Sequence, residues 1–323
     1  MRKKVYYHAL QPSDTTSFWR MCGTLSYIQD DEIELVDISN VREFNWSTFV
    51  DARAFILQRP FEPKHMDLIR LCRDMDIPVI LDYDDHLLDV PETNPTHHQY
   101  QHFKPNVIDC LKAADEIWVS TPTIAKAYSP YNRNIHVIPN AHNDYLFPIS
   151  GKLPYNINTK KAFNRGGQSH QADVLSVADD IIRVVNENQD WTFTFMGDRF
   201  TYLEQRCDDN YHILHGMTLM QYFKYIQLEN PNVFFFPLVD NEFNRGKSNI
   251  CWLEATYSGA AFYGNLNMPE YPEGMALSMN DFGDFDHDVL RAYNEWSWDY
   301  IKENLLLSKV NLLRLERLRA NVD

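Results

Sequence analysis

Apolar positions in this chain cluster into short continuous runs more often than they alternate with polar ones. Residues 5–10, 33–37, 54–58, 78–82, 117–121 and 135–139 are runs of this kind, rich in Val, Ile, Leu and aromatic residues. Their length and composition predict strands, several of them apolar on both faces. Helix-length stretches lie between them, at residues 15–27, 64–75, 104–114 and 122–128. That alternation predicts a parallel sheet covered by helices on both sides.

Residues 148–160 (PISGKLPYNINTK) concentrate Pro, Gly, Asn and Ser and read as a linker. The alternation then resumes, with predicted strands at 192–197, 211–215, 233–238 and 260–264 and predicted helices at 171–186, 218–227 and 247–257. From 286 to 320 the chain is helical in character, without Gly or Pro. The fold class is therefore α/β: two doubly wound, Rossmann-like domains (1–147 and 161–285) and a helical tail (286–323). A ligand site is expected at the carboxyl ends of the strands, in the cleft between domains. Periplasmic binding proteins and some epimerases share this layout.

Composition narrows the class. With 44% hydrophobic and 14% aromatic residues, the chain has ample material for two cores. Net charge is -15, with the acidity spread over both halves, which argues against a basic nucleic-acid module. No apolar run approaches the roughly 18 to 20 residues of a membrane span, and the basic start Met1-Arg2-Lys3-Lys4 lacks a signal-peptide core, so a cytoplasmic protein is expected. Five scattered cysteines without a C-x-x-C pair are expected to be reduced, mostly buried thiols.

Three segments carry candidate chemistry. In residues 237–259 (PLVDNEFNRGKSNICWLEATYSG), a buried run leads into a polar loop with Arg245 and Lys247, and a helix is predicted to start near Ser248 and Asn249. Two cations beside free N–H groups at a helix start suit a diphosphate. Glu254, about two turns past Lys247, is expected on the same helix face, where it would accept hydrogen bonds from a ribose. The plain alternative is a solvated loop with a surface ion pair. In residues 164–173 (NRGGQSHQAD), Gly166 and Gly167 allow close backbone approach before a helix, Arg165 is a candidate phosphate partner, and Ser169 and His170 follow. Asp82, Asp84, Asp85 and His86 cluster after the fourth strand, where carboxylates call for a hydroxylated or cationic ligand; Mg²⁺ or Mn²⁺ is the metal alternative. Gly197 ends a strand, residues 97–102 (HHQYQH) are expected in a mobile loop, and Arg20 reads as a surface arginine.

The 237–259 segment resembles the donor-binding helix of retaining, family-four-like GT-B glycosyltransferases, phage-encoded members above all, with the pattern P-L-x4-F-x3-K-S-x4-L-E-x4-G. Residues 164–173 resemble the first strand–loop–helix of that family's second domain, and the D-x-D-D run at 82–85 occurs in its phage-type members. Many members carry Glu where this chain has Gly246. The resemblance, spanning roughly residues 75–265, implies a glycosyltransferase that uses a nucleotide-sugar, with UDP expected, and that needs no metal or other cofactor. Donor contacts would come from Arg165, Gly166, Gly167, Ser169, His170, Gly197, Arg245, Lys247, Ser248, Asn249 and Glu254. Asp84, Asp85, His86 and Lys247 would act in transfer, with retention of anomeric configuration, and the tail would pack back on the first domain. The segment is also similar to the DNA glucosyltransferases of T-even phages, so hydroxymethylated phage DNA is one expected acceptor. Polysaccharide, lipid-linked sugar or protein are others, and a non-catalytic nucleotide-sugar-binding protein or a metal phosphohydrolase are the readings from other classes.

Overall fold

The computed structural model describes residues 2–266, Met268 and residues 271–322. The first half forms a six-stranded parallel sheet of β1 (Lys3–His8), β2 (Ile33–Asp37), β3 (Ala52–Gln58), β4 (Val79–Tyr83), β5 (Glu116–Val119) and β6 (Ile135–Val137), in the order β2-β1-β3-β4-β5-β6. A second six-stranded parallel sheet holds β7 (Lys161–Gly166), β8 (Thr192–Gly197), β9 (Tyr211–His215), β10 (Val233–Phe236), β11 (Ala261–Gly264) and β12 (Leu277–Ser278), in the order β12-β11-β10-β7-β8-β9. In each sheet the winding reverses beside the first strand, between β1 and β3 and between β7 and β10. Crevices at such reversals are where ligands sit in open α/β sheets.

The central strands β3, β4 and β5 are buried almost throughout, which explains their unbroken apolar runs. One face of the first sheet packs on helices Pro63–Asp74 and His97–Ala113 through Ile69, Cys72, Val107 and Leu111. The other face is closed by the chain's last helix, Leu307–Val322, whose Leu307, Val310 and Leu318 join Val5, Ile56, Ile80 and Trp118 in one core. The same helix is tied down by Arg317, which grips Glu116 with two bonds of 3.0 and 2.8 Å, and by Asn311, which donates to the Thr24 carbonyl. The domains meet through aromatic rings: Trp19 and Phe147 pack on Phe223, with ring centroids 6.2 and 4.4 Å apart.

Several elements differ from the expected ones. The tail is two helices, His287–Asn304 and Leu307–Val322. It breaks because Leu306 pairs like a strand residue with His142, with Leu305 O and Leu307 N both bonded to the His142 backbone. Residues 97–102 are the first turns of helix His97–Ala113 and do not form a loop. The helix expected over 171–186 is split into Gln171–Leu175 and Ala178–Glu187. The first helical stretch contains a π turn, Phe18–Cys22, and closes on Gly23, where a Cβ would lie 2.5 Å from the Phe18 carbonyl oxygen. No helix among the described residues is long and apolar enough to cross a membrane. The five cysteines are not in disulfides, and burial pushes the Cys72 and Cys110 thiols up to about 12.

Candidate active site in the interdomain cleft

The loops that follow β4, β5, β7 and β10 come together between the domains. On the second-domain side, β7 ends at Gly166 and Gly167. A Cβ on Gly167 would meet nothing within 4 Å, so this backbone faces open space. Neighbouring Gly197 has φ +114, and a Cβ there would fall 2.3 Å from the Gly166 carbonyl oxygen. Only glycine permits that approach, and Asp198 N uses it to bond Gly166 O at 3.1 Å. Ser169 is exposed in the turn that follows.

Asp173 ties this loop to the one after β10. One carboxylate oxygen lies 3.0 Å from His170 Nδ1; the other accepts from Val239 N at 2.9 Å and Asn244 Nδ2 at 2.8 Å. Burial lowers the pKa of His170, against the pull of Asp173 and with Lys247 and Arg165 adding to the fall. Asn244 belongs to a short helix, Glu242–Arg245, that Asn241 caps and Gly246 ends. The next helix, Ile250–Tyr257, starts only after Asn249.

This two-step path corrects the single helix expected from Ser248. Lys247 lies off the helix, and Ser248 and Asn249 are half-buried in the connection. Lys247 and Glu254 therefore have different surroundings. Lys247 Nζ is 3.2 Å from Asp85 Oδ1 across the cleft and 4.4 Å from the Phe243 ring centroid. Glu254 is fully buried, with Oε2 accepting from Arg165 Nε and from Tyr222 Oη, both at 2.8 Å. Burial raises the Glu254 pKa, while Arg165 and Tyr222 oppose that rise. Glu254 Oε1 and Trp19 Nε1 are both buried, and the Trp19 indole N–H adds to the groups that oppose the rise. The Arg245 guanidinium is engaged on the surface by Asp240 and Glu242.

On the first-domain side the carboxylates are sorted by arginines. Arg20, expected on the surface, is wholly buried and grips Asp82 through bonds of 2.9 and 2.7 Å. Its Nη1 also donates to Ile138 O and Asn140 Oδ1, so Asp82 is a structural anchor for β4 and the crossover. Arg59, which the sequence pattern did not single out, sits just past β3 with φ 43, a conformation uncommon outside glycine. It bonds Asp84 through Nε and Asp85 through Nη2. Burial, reinforced by Asp85, pushes the Asp84 carboxyl up to about 6 against the pull of Arg59. Asp85 is half-buried, and Lys247 and Arg59 hold it well below the usual carboxylate range. Cations of the protein thus occupy all three carboxylates. Among the described residues no group of His, Cys, Asp and Glu is arranged to hold a metal ion.

His86 completes this wall. It is buried, its pKa lowered by that burial, and its Nδ1 has no partner. Across the cleft, a Cβ on Gly246 would come within 3.2 Å of His86 Cβ and 3.3 Å of Ile124 Cγ1. Thr121 Oγ1 donates to Gly246 O at 3.1 Å. The domains touch where Gly246 has no side chain.

No family model matches the chain, and no curated protein matches it in sequence. Solved structures do match in shape. An alpha-glucosyltransferase in complex with UDP-glucose and DNA containing an abasic site aligns over 98% of both chains, with TM-score 0.64 and 10% identity. An alpha,alpha-trehalose-phosphate synthase (UDP-forming) from Burkholderia vietnamiensis aligns over 100% of both, with TM-score 0.62 and 9% identity. TarM aligns over 84% of this chain with TM-score 0.60 and 10% identity, and the match spans about half of TarM (54%). At such identities the likeness is one of fold. Two Rossmann-like domains facing each other across a cleft, with a helical C-terminal segment, make this a GT-B fold.

Proposed function

We propose that this chain is a glycosyltransferase that moves a sugar from a UDP-sugar to a hydroxyl acceptor in the interdomain cleft. One observation carries the reading. Lys247 and the open backbone at Gly167 border the crevice between β7 and β10, opposite Asp85 of the other domain. A nucleoside diphosphate leaves with growing negative charge, and a preorganised cation with backbone N–H groups stabilises that charge. Glu254, held through Oε2 by Arg165 and Tyr222, would turn Oε1 to a ribose hydroxyl as an acceptor, next to the Trp19 indole N–H. Asp84, Asp85 and His86 stand on the opposite wall, where sugar and acceptor would be oriented.

The fold likeness to UDP-sugar enzymes supports the donor class. Retention of configuration belongs to the same reading: with the departing phosphate able to take the acceptor proton, no carboxylate has to act as a strong base. The test is thermal shift with UDP, GDP, ADP and CDP and their sugars, followed by product NMR. Stabilisation by one nucleotide, lost in Lys247→Ala, and an α-linked product are expected; at a hundred times Kd the gain is about 2.7 kcal/mol. A β-linked product would reject retention. Binding without donor hydrolysis or transfer would leave a nucleotide-sugar-binding protein.

A further inference from the structure

A second concavity, of about 500 Å³, opens at the other winding reversal, beside the carboxyl end of β1. It is lined by His8 at the end of β1, Arg42 and Phe44 after β2, and Lys64, His65 and Leu68 on the helix after β3. Two rings form the floor: His8 and Phe44 meet edge to face, centroids 5.3 Å apart, and His8 Nδ1 is buried without a partner. His65 Nδ1 accepts from Phe61 N and Glu62 N at 3.1 and 3.0 Å. Its ring proton is therefore on Nε2, which makes that atom a fixed donor. Lys64 pairs with Glu62 on the surface, and Arg42 is exposed. One carboxylate lines the cavity, Asp67, and it is bonded to Arg70 at 3.0 Å.

An occupant that fits must bring an apolar ring for Phe44 and His8, an anion for the exposed Arg42, and a hydrogen-bond acceptor for His65 Nε2. A sugar would ask for free carboxylate acceptors, and Asp67 is already engaged. A nucleotide brings these features, its base stacking on an aromatic ring and its phosphate meeting a cation. The cavity lies close to the transfer centre: Leu10, on its wall, bonds Gln58 Oε1 through its N at 3.1 Å, and the next residue, Arg59, holds Asp84 and Asp85. We propose that this cavity seats one nucleotide of a single-stranded nucleic-acid acceptor, next to the nucleotide that receives the sugar. The inference rests on the glycosyltransferase reading for what happens to that strand, but not for its binding.

The test is fluorescence anisotropy of a short labelled single-stranded oligodeoxynucleotide with the full chain, its Arg42→Gln and Phe44→Leu variants, an Arg183→Gln control on the exposed surface of the second domain, and anionic phospholipid vesicles as competitor. Binding that weakens about tenfold in Arg42→Gln and in Phe44→Leu, but not in Arg183→Gln, is expected. With few cations facing phosphate, the salt dependence should be shallow, a log–log slope of about one, and shallower still in Arg42→Gln. Arg42 is exposed, so its replacement leaves the fold intact. No oligonucleotide binding, binding indifferent to Arg42 and Phe44, or Arg42-dependent binding of vesicles alone would each overturn the proposal. Failure of the donor reading shows separately, as absence of any nucleotide shift in the wild type.

Discussion

Lys247 of the second domain and Asp85 of the first form an ion pair of 3.2 Å that closes the cleft. Asp85 stands where an incoming diphosphate would compete for the same ammonium group. Asp85→Asn should therefore bind UDP more tightly, by about tenfold, while sugar transfer falls, since Arg59 loses one of its two carboxylates. Isothermal titration beside a turnover assay separates the two effects. Unchanged or weaker UDP binding in Asp85→Asn would remove Lys247 from the phosphate site.

Gly246 sets the spacing of the domains at their contact. Its φ of -84 suits alanine, so Gly246→Ala brings no backbone strain. The new methyl group instead presses on His86 and Ile124 across the cleft. A fall in kcat/KM of about tenfold with the melting temperature nearly unchanged is expected. An equal loss of stability and activity would show that the contact serves folding alone.

Acid should weaken the fold through two buried histidines. Burial lowers His65 and His142 to about 4, so their neutral forms fit the native state. Above the unfolded value of 6.5 their stabilising contribution is fully present; it is lost as pH falls from there towards 4, by about 2 to 3 kcal/mol for each. Asp84 acts in the opposite sense. With a native pKa near 6 it takes up its proton before the unfolded chain does, which favours the native state as pH falls from 6 to 4. Urea unfolding across this range should show a net loss, flatter in His142→Asn and steeper in Asp84→Asn.

Arg314 is a wholly buried guanidinium with one bond, to Asn311 Oδ1 at 3.0 Å; its Nε and Nη2 have no partner. Burial, with Arg20 nearby, lowers its pKa to about 9. Burying a cation without a counter-charge costs more than packing a hydrocarbon of similar size. Arg314→Met should raise stability by about 1 kcal/mol or more in urea unfolding. A loss instead would mean that the guanidinium is compensated by bonds to solvent.

Much of the fold was legible because β3, β4, β5 and β10 are buried on both faces and so read as unbroken apolar runs. β7 was harder, since Lys161, Asn164 and Arg165 interrupt it, and two-residue β12 leaves no pattern. At the site, Lys247 and the glycine loop were found because cations and glycines beside a helix stand out locally. The partners of Glu254, and the role of Arg59, depend on residues tens of positions away, which periodicity does not reveal. Arg20 shows the same limit: a lone arginine in a helix looks solvated until the carboxylate it meets, 62 residues later, is known.

The packing of Leu307–Val322 against β1, β3 and β5 also fixes the order of events at the ribosome. The first domain leaves the exit tunnel early, with Met21 and Leu25 covering part of one sheet face, but the rest of that face stays bare until residue 322 has been synthesised. Nearly the whole second domain is made while that apolar surface waits, and in that interval a chaperone, or a neighbouring nascent chain, has access to it.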